Sequence, residues 1–311
     1  MTVTIWVDGK DNYIKHTHTI IDDKTQTYES EYLDVEYDPS LSLFDEFSEN
    51  VRNRDTKIVE VLLSGGMDSE LVLYGLLSKG IPVQAMTMRL WSKNMIINTH
   101  DLYYADKFCR EHGVKQSLVD LHIDKFFLNG DHIPYLQPYK ISQAHVASHL
   151  WLFEQCSGFP ILGGEHSWPW VHHDPIIISP TRYEYSNYDR FLKDKGISGI
   201  GNMLRHSMGS QAKLIQNHID LVKQDTKKSI GGDRLRIAEL KLKLYQTVGY
   251  ESPEKRLRSY GLESVGPAML DIRTFHQEII DLWGMATNKV TWGTKFANVL
   301  GSVPGSNTLF R

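Results

Sequence analysis

The sequence predicts an α/β protein built on a doubly wound parallel sheet, with a short β meander before it and a helical lobe after it. Three observations point there. Apolar runs alternate with helix-length amphipathic segments from residue 57 to about 162, the rhythm of parallel strands joined by crossover helices. A Gly-Gly turn joins the first apolar run to its helix, and such turns lie at the carboxyl edge of open sheets, where ligands bind. Beyond residue 180 the period becomes helical throughout.

The elements follow in order. The segments TVTIWV, HTHTII and TYESEYLDVEY are β-rich and separated by Asp, Gly, Asn and Lys, the pattern of a small antiparallel meander. SLFDEFSENVRNR places Leu43, Phe44 and Phe47 at core spacing on a short amphipathic helix. Strands are expected over 58–63, 82–88, 116–121 and 159–162. The connecting helices are expected over 68–79, 99–112 and 142–155, the second stopped by Gly113. Further helices are expected over 204–222, 234–248 and 274–285, and the Gly- and Ser-rich tail is ordered only by a ligand or partner. Division into residues 1–55, 56–180 and 181–311 follows: a β leader, a nucleotide-binding α/β domain, and a substrate or lid region.

Composition sets the outer limits. A 311-residue chain with 41% hydrophobic and 23% charged residues has ample core and the profile of an ordinary globular protein. No apolar run approaches the roughly 20 residues of a membrane span, and the first residues lack a basic-then-apolar targeting pattern. A cytoplasmic address without membrane contact is therefore expected. Cys109 and Cys156 have no CxxC neighbour and are expected to be buried reduced thiols. The net charge of −4 is small, but 15 bases against 8 acids over residues 189–260 leave +7 there. That stretch would suit a polyanion such as nucleic acid, or form solvated helix faces.

The chemistry concentrates in VEVLLSGGMDSELVLYGLL, residues 59–77. A strand feeds Ser64, Gly65, Gly66, Met67, Asp68 and Ser69, and a helix follows. Two glycines let backbone amides approach an anion, the helix directs its positive end at the same point, and the serines add hydroxyl donors. Asp68 could cap the helix or ligate magnesium. The GK[ST] ending of the common phosphate loop is missing, as is GxGxxG.

The six residues resemble the SGGxDS signature of the PP-loop ATP pyrophosphatases, the superfamily that holds asparagine, GMP, NAD, argininosuccinate and tRNA lysidine synthetases. The resemblance implies an adenine nucleotide alpha hydrolase-like fold, ATP and Mg2+ as cofactors, and cleavage between the α and β phosphates with transfer of AMP to a carboxylate or carbonyl oxygen. An amine, ammonia or sulfur nucleophile then displaces AMP. It also implies adenine binding along 85–88, with Met86 among its contacts, and a second acid after the fourth strand. That segment here is PILGGEHSW, where Gly163 and Gly164 turn the chain and Glu165 is the candidate partner of Asp68 at magnesium. Asparagine synthetase has a longer Gly-Asp-Glu pattern there.

A cation for the departing diphosphate is expected from Lys255, Arg256, Arg258, Lys289 or Lys295, with Lys295 preferred as a lid residue beside Gly293. His166 is placed near any nucleotide, as a proton acceptor for an amine or as a neutral hydrogen-bonded side chain. His145 and His149 share a helix face, and His172, His173 and Asp174 cluster, without the acid of a metal motif. Trp151, Trp168 and Trp170 are read as base-stacking or packing residues.

Two cysteines argue against thiolating and zinc-dependent members, and Thr2 with a short leader argues against glutamine hydrolysis. The preferred expectation is an AMP-forming ligase that joins ammonia or an amine to an activated small-molecule acid. The alternatives are a tRNA- or nucleobase-modifying ATPase and a non-catalytic nucleotide-binding module, and homo-oligomerisation is left open.

Overall fold

Hydrophobic patterning along four short runs is what assembles the centre of this molecule. The computed structural model describes residues 12–20, 26–34, 42–52, 54, 58–92, 94–139, 144–163, 169–170, 177–178, 184–207, 214, 217–218, 221 and 234–252. The expected helix over 274–285, the Gly- and Ser-rich tail, and the first of the three expected β segments lie outside them.

Strands β1 (Asn12–Ile20) and β2 (Gln26–Asp34) form an antiparallel hairpin with Asn12 opposite Asp34. Helix α1 (Leu43–Arg52) buries Leu43, Phe44 and Phe47 as its spacing requires, and Ser42 with Asp45 closes its first turn at 2.6 Å.

The central sheet begins with β3 (Val59–Leu62), leads through helix α2 (Met67–Ser78) to β4 (Val83–Ser92), and then to the short β5 (Met95–Ile96). Helix α3 (Thr99–Glu111) precedes β6 (Gln116–His122). Helices α4 (Ile123–Leu128), α5 (Ile133–Leu136) and α6 (Ala144–Glu154) then lead to β7 (Phe159–Leu162). The spatial order β6-β4-β3-β7 is parallel throughout, and β5 alone runs antiparallel, against the end of β4. Ile200 extends the far edge by a parallel bridge to Ile161.

Both faces of this sheet are covered, which is the doubly wound arrangement. Val59, Val61 and Leu63 face α1, α2 and α3, while Leu62, Met86 and Leu90 face α4 and α6. Alternation of side chains along each strand produces this split, and because each face meets helices, both faces of β3 and β4 carry buried apolar residues.

After β7 come the two-residue strands β8 (Pro169–Trp170) and β9 (Ile177–Ile178), antiparallel to each other. Helices α7 (Glu184–Asp194), α8 (Met203–His206) and α9 (Arg234–Gln246) follow. Tyr188 and Phe191 of α7 join one core, and Leu244 and Tyr245 of α9 the other.

Three expectations need correction. β4 continues to Ser92, beyond 88, because Leu90 and Ser92 stay buried while Arg89 and Trp91 gain cross-strand partners in Asp120 and His122. Asn98 secures that extension, its Oδ1 accepting from Leu90 N at 2.9 Å and its Nδ2 donating to the Met88 carbonyl at 2.8 Å. Helix α2 begins at Met67 with Gly66 in the capping position, so Asp68 sits inside the first turn and does not cap it. Cys109 is buried, but Cys156 is only partly so; both are free. Burial pushes the Cys109 thiol up to about 11 and Cys156 up to about 12, which makes both inert.

Candidate functional site

The turn from Ser64 to Ser69 leaves the carboxyl end of β3 and enters α2, and its shape is set by its own hydroxyls. Ser64 N donates to Ser69 Oγ at 3.2 Å, Ser69 Oγ donates to the Gly66 carbonyl at 2.9 Å, and Gly66 N donates to Ser64 Oγ at 3.2 Å. The two serine oxygens lie 3.2 Å apart. Leu63 N anchors the strand end on the Met86 carbonyl at 2.8 Å.

Gly65 has φ +71°, and a Cβ there would meet the Asp101 carbonyl oxygen at 2.2 Å. Only glycine fits both the dihedral and the approach of α3. At Gly163, after β7, a Cβ would lie 3.1 Å from the Ser69 Cα, so the end of the fourth parallel strand rests on the start of α2. Gly66 is extended, with φ −91° and ψ 155°, and its side makes no side-chain cap on α2. The first amides of the helix thus face outward beside two hydroxyls, with the helix dipole behind them. That arrangement can hold an anion.

Asp68 meets residues that sequence reasoning missed. Its Oδ2 accepts from Lys241 Nζ at 2.8 Å, and its Oδ1 accepts a short hydrogen bond from the Tyr245 hydroxyl. The Lys241 side chain is 10% exposed and that of Asp68 23%. Lys241 and Tyr245 stand four apart on α9 and so share a face. Their spacing on the expected 234–248 helix was visible, but nothing local says that the face meets residue 68. One turn beyond, the Tyr250 hydroxyl donates to Glu70 Oε2 at 2.9 Å. His218, fully buried, has its pKa pushed down to about 3 by burial and, second, by the Lys241 charge.

Of the expected site residues, Ser64, Gly65, Gly66, Met67, Asp68 and Ser69 are together in the turn. Met86 lies beside it, its side chain in the core 3.5 Å from Cys156 Sγ and its carbonyl accepting from Leu63. Gly164, Glu165, His166, Trp168, the His172 to Asp174 cluster, Lys255, Arg256, Arg258, Lys289 and Lys295 lie outside the described residues. His149 Nδ1 is 2.8 Å from the Tyr188 hydroxyl, and Trp151 packs on Phe126. Both are occupied in packing one face of the sheet.

The turn leaves the start of α2 without a side-chain cap beside the Ser64 and Ser69 hydroxyls, an arrangement able to take an anionic group such as a phosphate. The fit of magnesium is different. Both oxygens of Asp68 already serve an ammonium and a hydroxyl, and among the described residues no group of three His, Cys, Asp or Glu side chains could hold a metal ion. Asp68 as described is thus already paired with a cation, and Glu165, the second acid expected at magnesium, lies outside the described residues. No described helix is long and apolar enough to cross a membrane.

Residues 57–129 match the family model described as the tRNA methyl transferase HUP domain. That stretch runs from β3 to just past α4 and includes the whole turn. No curated protein matches the chain. Among solved structures, the chain is similar to NMN synthetase from Francisella tularensis, at 13% identity and TM-score 0.30, covering 69% of this chain and 96% of that one. It is similar to a glutamine-dependent NAD+ synthetase from Acinetobacter baumannii in complex with ADP, at 14% identity and TM-score 0.29, over 76% of this chain and 54% of that one. A U34-tRNA thiolase from Methanococcus maripaludis follows at 14% identity and TM-score 0.30, over 86% and 89%. Likenesses this distant carry no functional argument.

Proposed function

We propose that this chain is a PP-loop enzyme that uses ATP as an AMP-forming ligase, coupling an activated small-molecule acid to ammonia or an amine in the manner of the synthetase half of asparagine synthetase. The observation that carries the reading is the Ser64–Ser69 turn: an open helix start and two hydroxyls at the carboxyl edge of a parallel sheet. Charge accumulates on the departing diphosphate, and fixed donors aimed there lower the barrier without a protein nucleophile.

In this reading an oxygen of the acid attacks the α-phosphorus, and the bond from that phosphorus to the β-bridging oxygen breaks. Diphosphate leaves onto the turn. The amine nitrogen then attacks the activated carbon, AMP departs with the carbon–oxygen bond's electron pair, and the nitrogen loses a proton. Glu165 and Lys295 enter this proposal through sequence position alone, as does the division at residues 55 and 180. A cytoplasmic location belongs to the same proposal.

Incubation of the full chain with ATP, magnesium and a panel of carboxylic acids and amines tests it. AMP and diphosphate are the expected products. ADP and phosphate would reject the cleavage, and no nucleotide product with any substrate would leave a non-catalytic binding module.

A second reading, a tRNA-modifying ATPase, draws on the description of the family model over 57–129 and on the +7 charge of residues 189–260. Salt-sensitive retention of tRNA would favour it, because each phosphate contact releases counterions.

A further inference from the structure

We propose that the Lys241 ammonium, and no divalent cation, is the charge partner of Asp68, and that it swings from Asp68 onto the bound diphosphate group when a nucleotide occupies the turn. The inference rests on the reading of Ser64–Ser69 as a phosphate turn and adds a residue and a cation requirement to it.

The geometry argues in three steps. First, both oxygens of Asp68 are engaged, with Lys241 Nζ at 2.8 Å on one and the Tyr245 hydroxyl on the other. A dication at that carboxylate would stand against a fixed positive charge that is mostly shielded from water, where repulsion is screened least.

Second, the helix that brings Lys241 cannot easily withdraw it. Leu240, Leu244 and Tyr245 of α9 are buried, and Leu244 and Tyr245 share a core with Leu71 and Leu73 of α2, so α9 is held against the turn by packing independent of the ion pair. Third, the lysine stem has four rotatable carbons, and its point charge can follow an anion while the backbone stays in place. Asp68 is in the first turn of α2, directly after Gly66 and Met67. An ammonium parked on it is therefore one side-chain rotation from an anion on the helix start.

The proposal makes Asp68 a competitor of diphosphate for Lys241, and that gives a sign no metal-ligand role shares. Binding of inorganic diphosphate to the full chain is measured by calorimetry, once in EDTA and once in excess magnesium. The wild type is expected to bind in EDTA. Lys241→Gln weakens that binding about tenfold or more, the range for losing a hydrogen bond to a charged group, and Lys241→Arg retains part of it. Asp68→Asn tightens binding in EDTA, because the ammonium is no longer shared. Thermal unfolding confirms that the variants are folded, and if Lys241→Gln is not, the sign of the Asp68→Asn effect still decides.

Wild-type binding that requires magnesium and is abolished by Asp68→Asn would overturn the proposal while leaving the phosphate turn intact. Neither diphosphate nor ATP binding under either condition would overturn both, and so identifies a failure of the underlying reading.

Discussion

Tyr250 donates to Glu70 at 2.9 Å, and the acceptor is a carboxyl group buried to 1% exposure in the first turn of α2. A polar group that deep needs a hydrogen-bond partner, so the residues after α9 are fixed to α2 by chemistry as well as by packing. Tyr250 also meets the rings of Tyr74 and Tyr245. Tyr250→Phe keeps the ring and removes the hydroxyl, which donates to Glu70 and also hydrogen-bonds Ser252. Leaving a buried polar group without its partner costs about 1–3 kcal/mol. Urea unfolding should therefore show a loss in that range with an unchanged m-value, and equal stability would remove this bond from the account.

Gly65 carries the geometry of the turn, and its substitution separates two costs. Gly65 and Gly80 have nearly equal φ, +71° and +70°, but a Cβ at Gly65 meets the Asp101 carbonyl at 2.2 Å while one at Gly80 meets nothing within 4 Å. Gly80→Ala pays the left-handed backbone cost alone, about 1–2 kcal/mol. Gly65→Ala pays that and must displace the start of α3, so it should be clearly less stable than Gly80→Ala and lose ATP retention. Equal melting temperatures for the two variants would show that the contact with Asp101 relaxes freely.

How much of this was readable in the sequence depends on the range of the interaction. The run at 159–162 is apolar throughout and that at 59–62 is interrupted only by Glu60, so strands were expected there and the structure has them. The Ser64–Ser69 turn is a local feature, six consecutive residues whose hydrogen bonds are mostly to one another. Helix α7 was not placed individually: Tyr188, Phe191 and Leu192 stand at the i, i+3, i+4 spacing of a buried face, but EYSNYDRFLKD is otherwise polar and the run is short. The end of β4 was placed early because Arg89 and Trp91 read as a loop until Asp120 and His122 are known to face them. The pairing of Asp68 with Lys241 spans 173 residues, and no local pattern encodes which face of α9 meets which helix start.

Ser69 tests the turn without touching the ion pair. Its hydroxyl accepts from Ser64 N and donates to the Gly66 carbonyl, so it ties both ends of the bend together. Ser69→Ala leaves the Ser64 amide and the Gly66 carbonyl without that oxygen, and so loosens the bend that would hold the anion. The expected result is about a tenfold weaker affinity for ATP in equilibrium dialysis, the order of one or two lost hydrogen bonds in the bend, with circular dichroism unchanged. Undiminished affinity would place the triphosphate elsewhere.

His218 sets a pH dependence whose sign can be worked out. Burial, with the Lys241 charge second, lowers its pKa from 6.5 to about 3. The unfolded chain therefore takes up a proton near pH 6.5 that the folded chain refuses until about pH 3. Between those values the unfolded state binds more protons, so stability rises with pH and falls as the solution is acidified, by at most about 1.4 kcal/mol per pH unit from this one group. Asp45 and Asp120 do not confuse the window. Their hydrogen bonds with Lys79 and Arg89 respectively hold them down to about 2, so native protonation there comes lower still, and both are present in wild type and variant alike. Urea unfolding from pH 7.5 to 4.5 should show a shallower slope for His218→Gln than for wild type. Parallel slopes would mean that His218 takes up its proton in the folded state as freely as in the unfolded one, and that the Lys241 charge is not felt there.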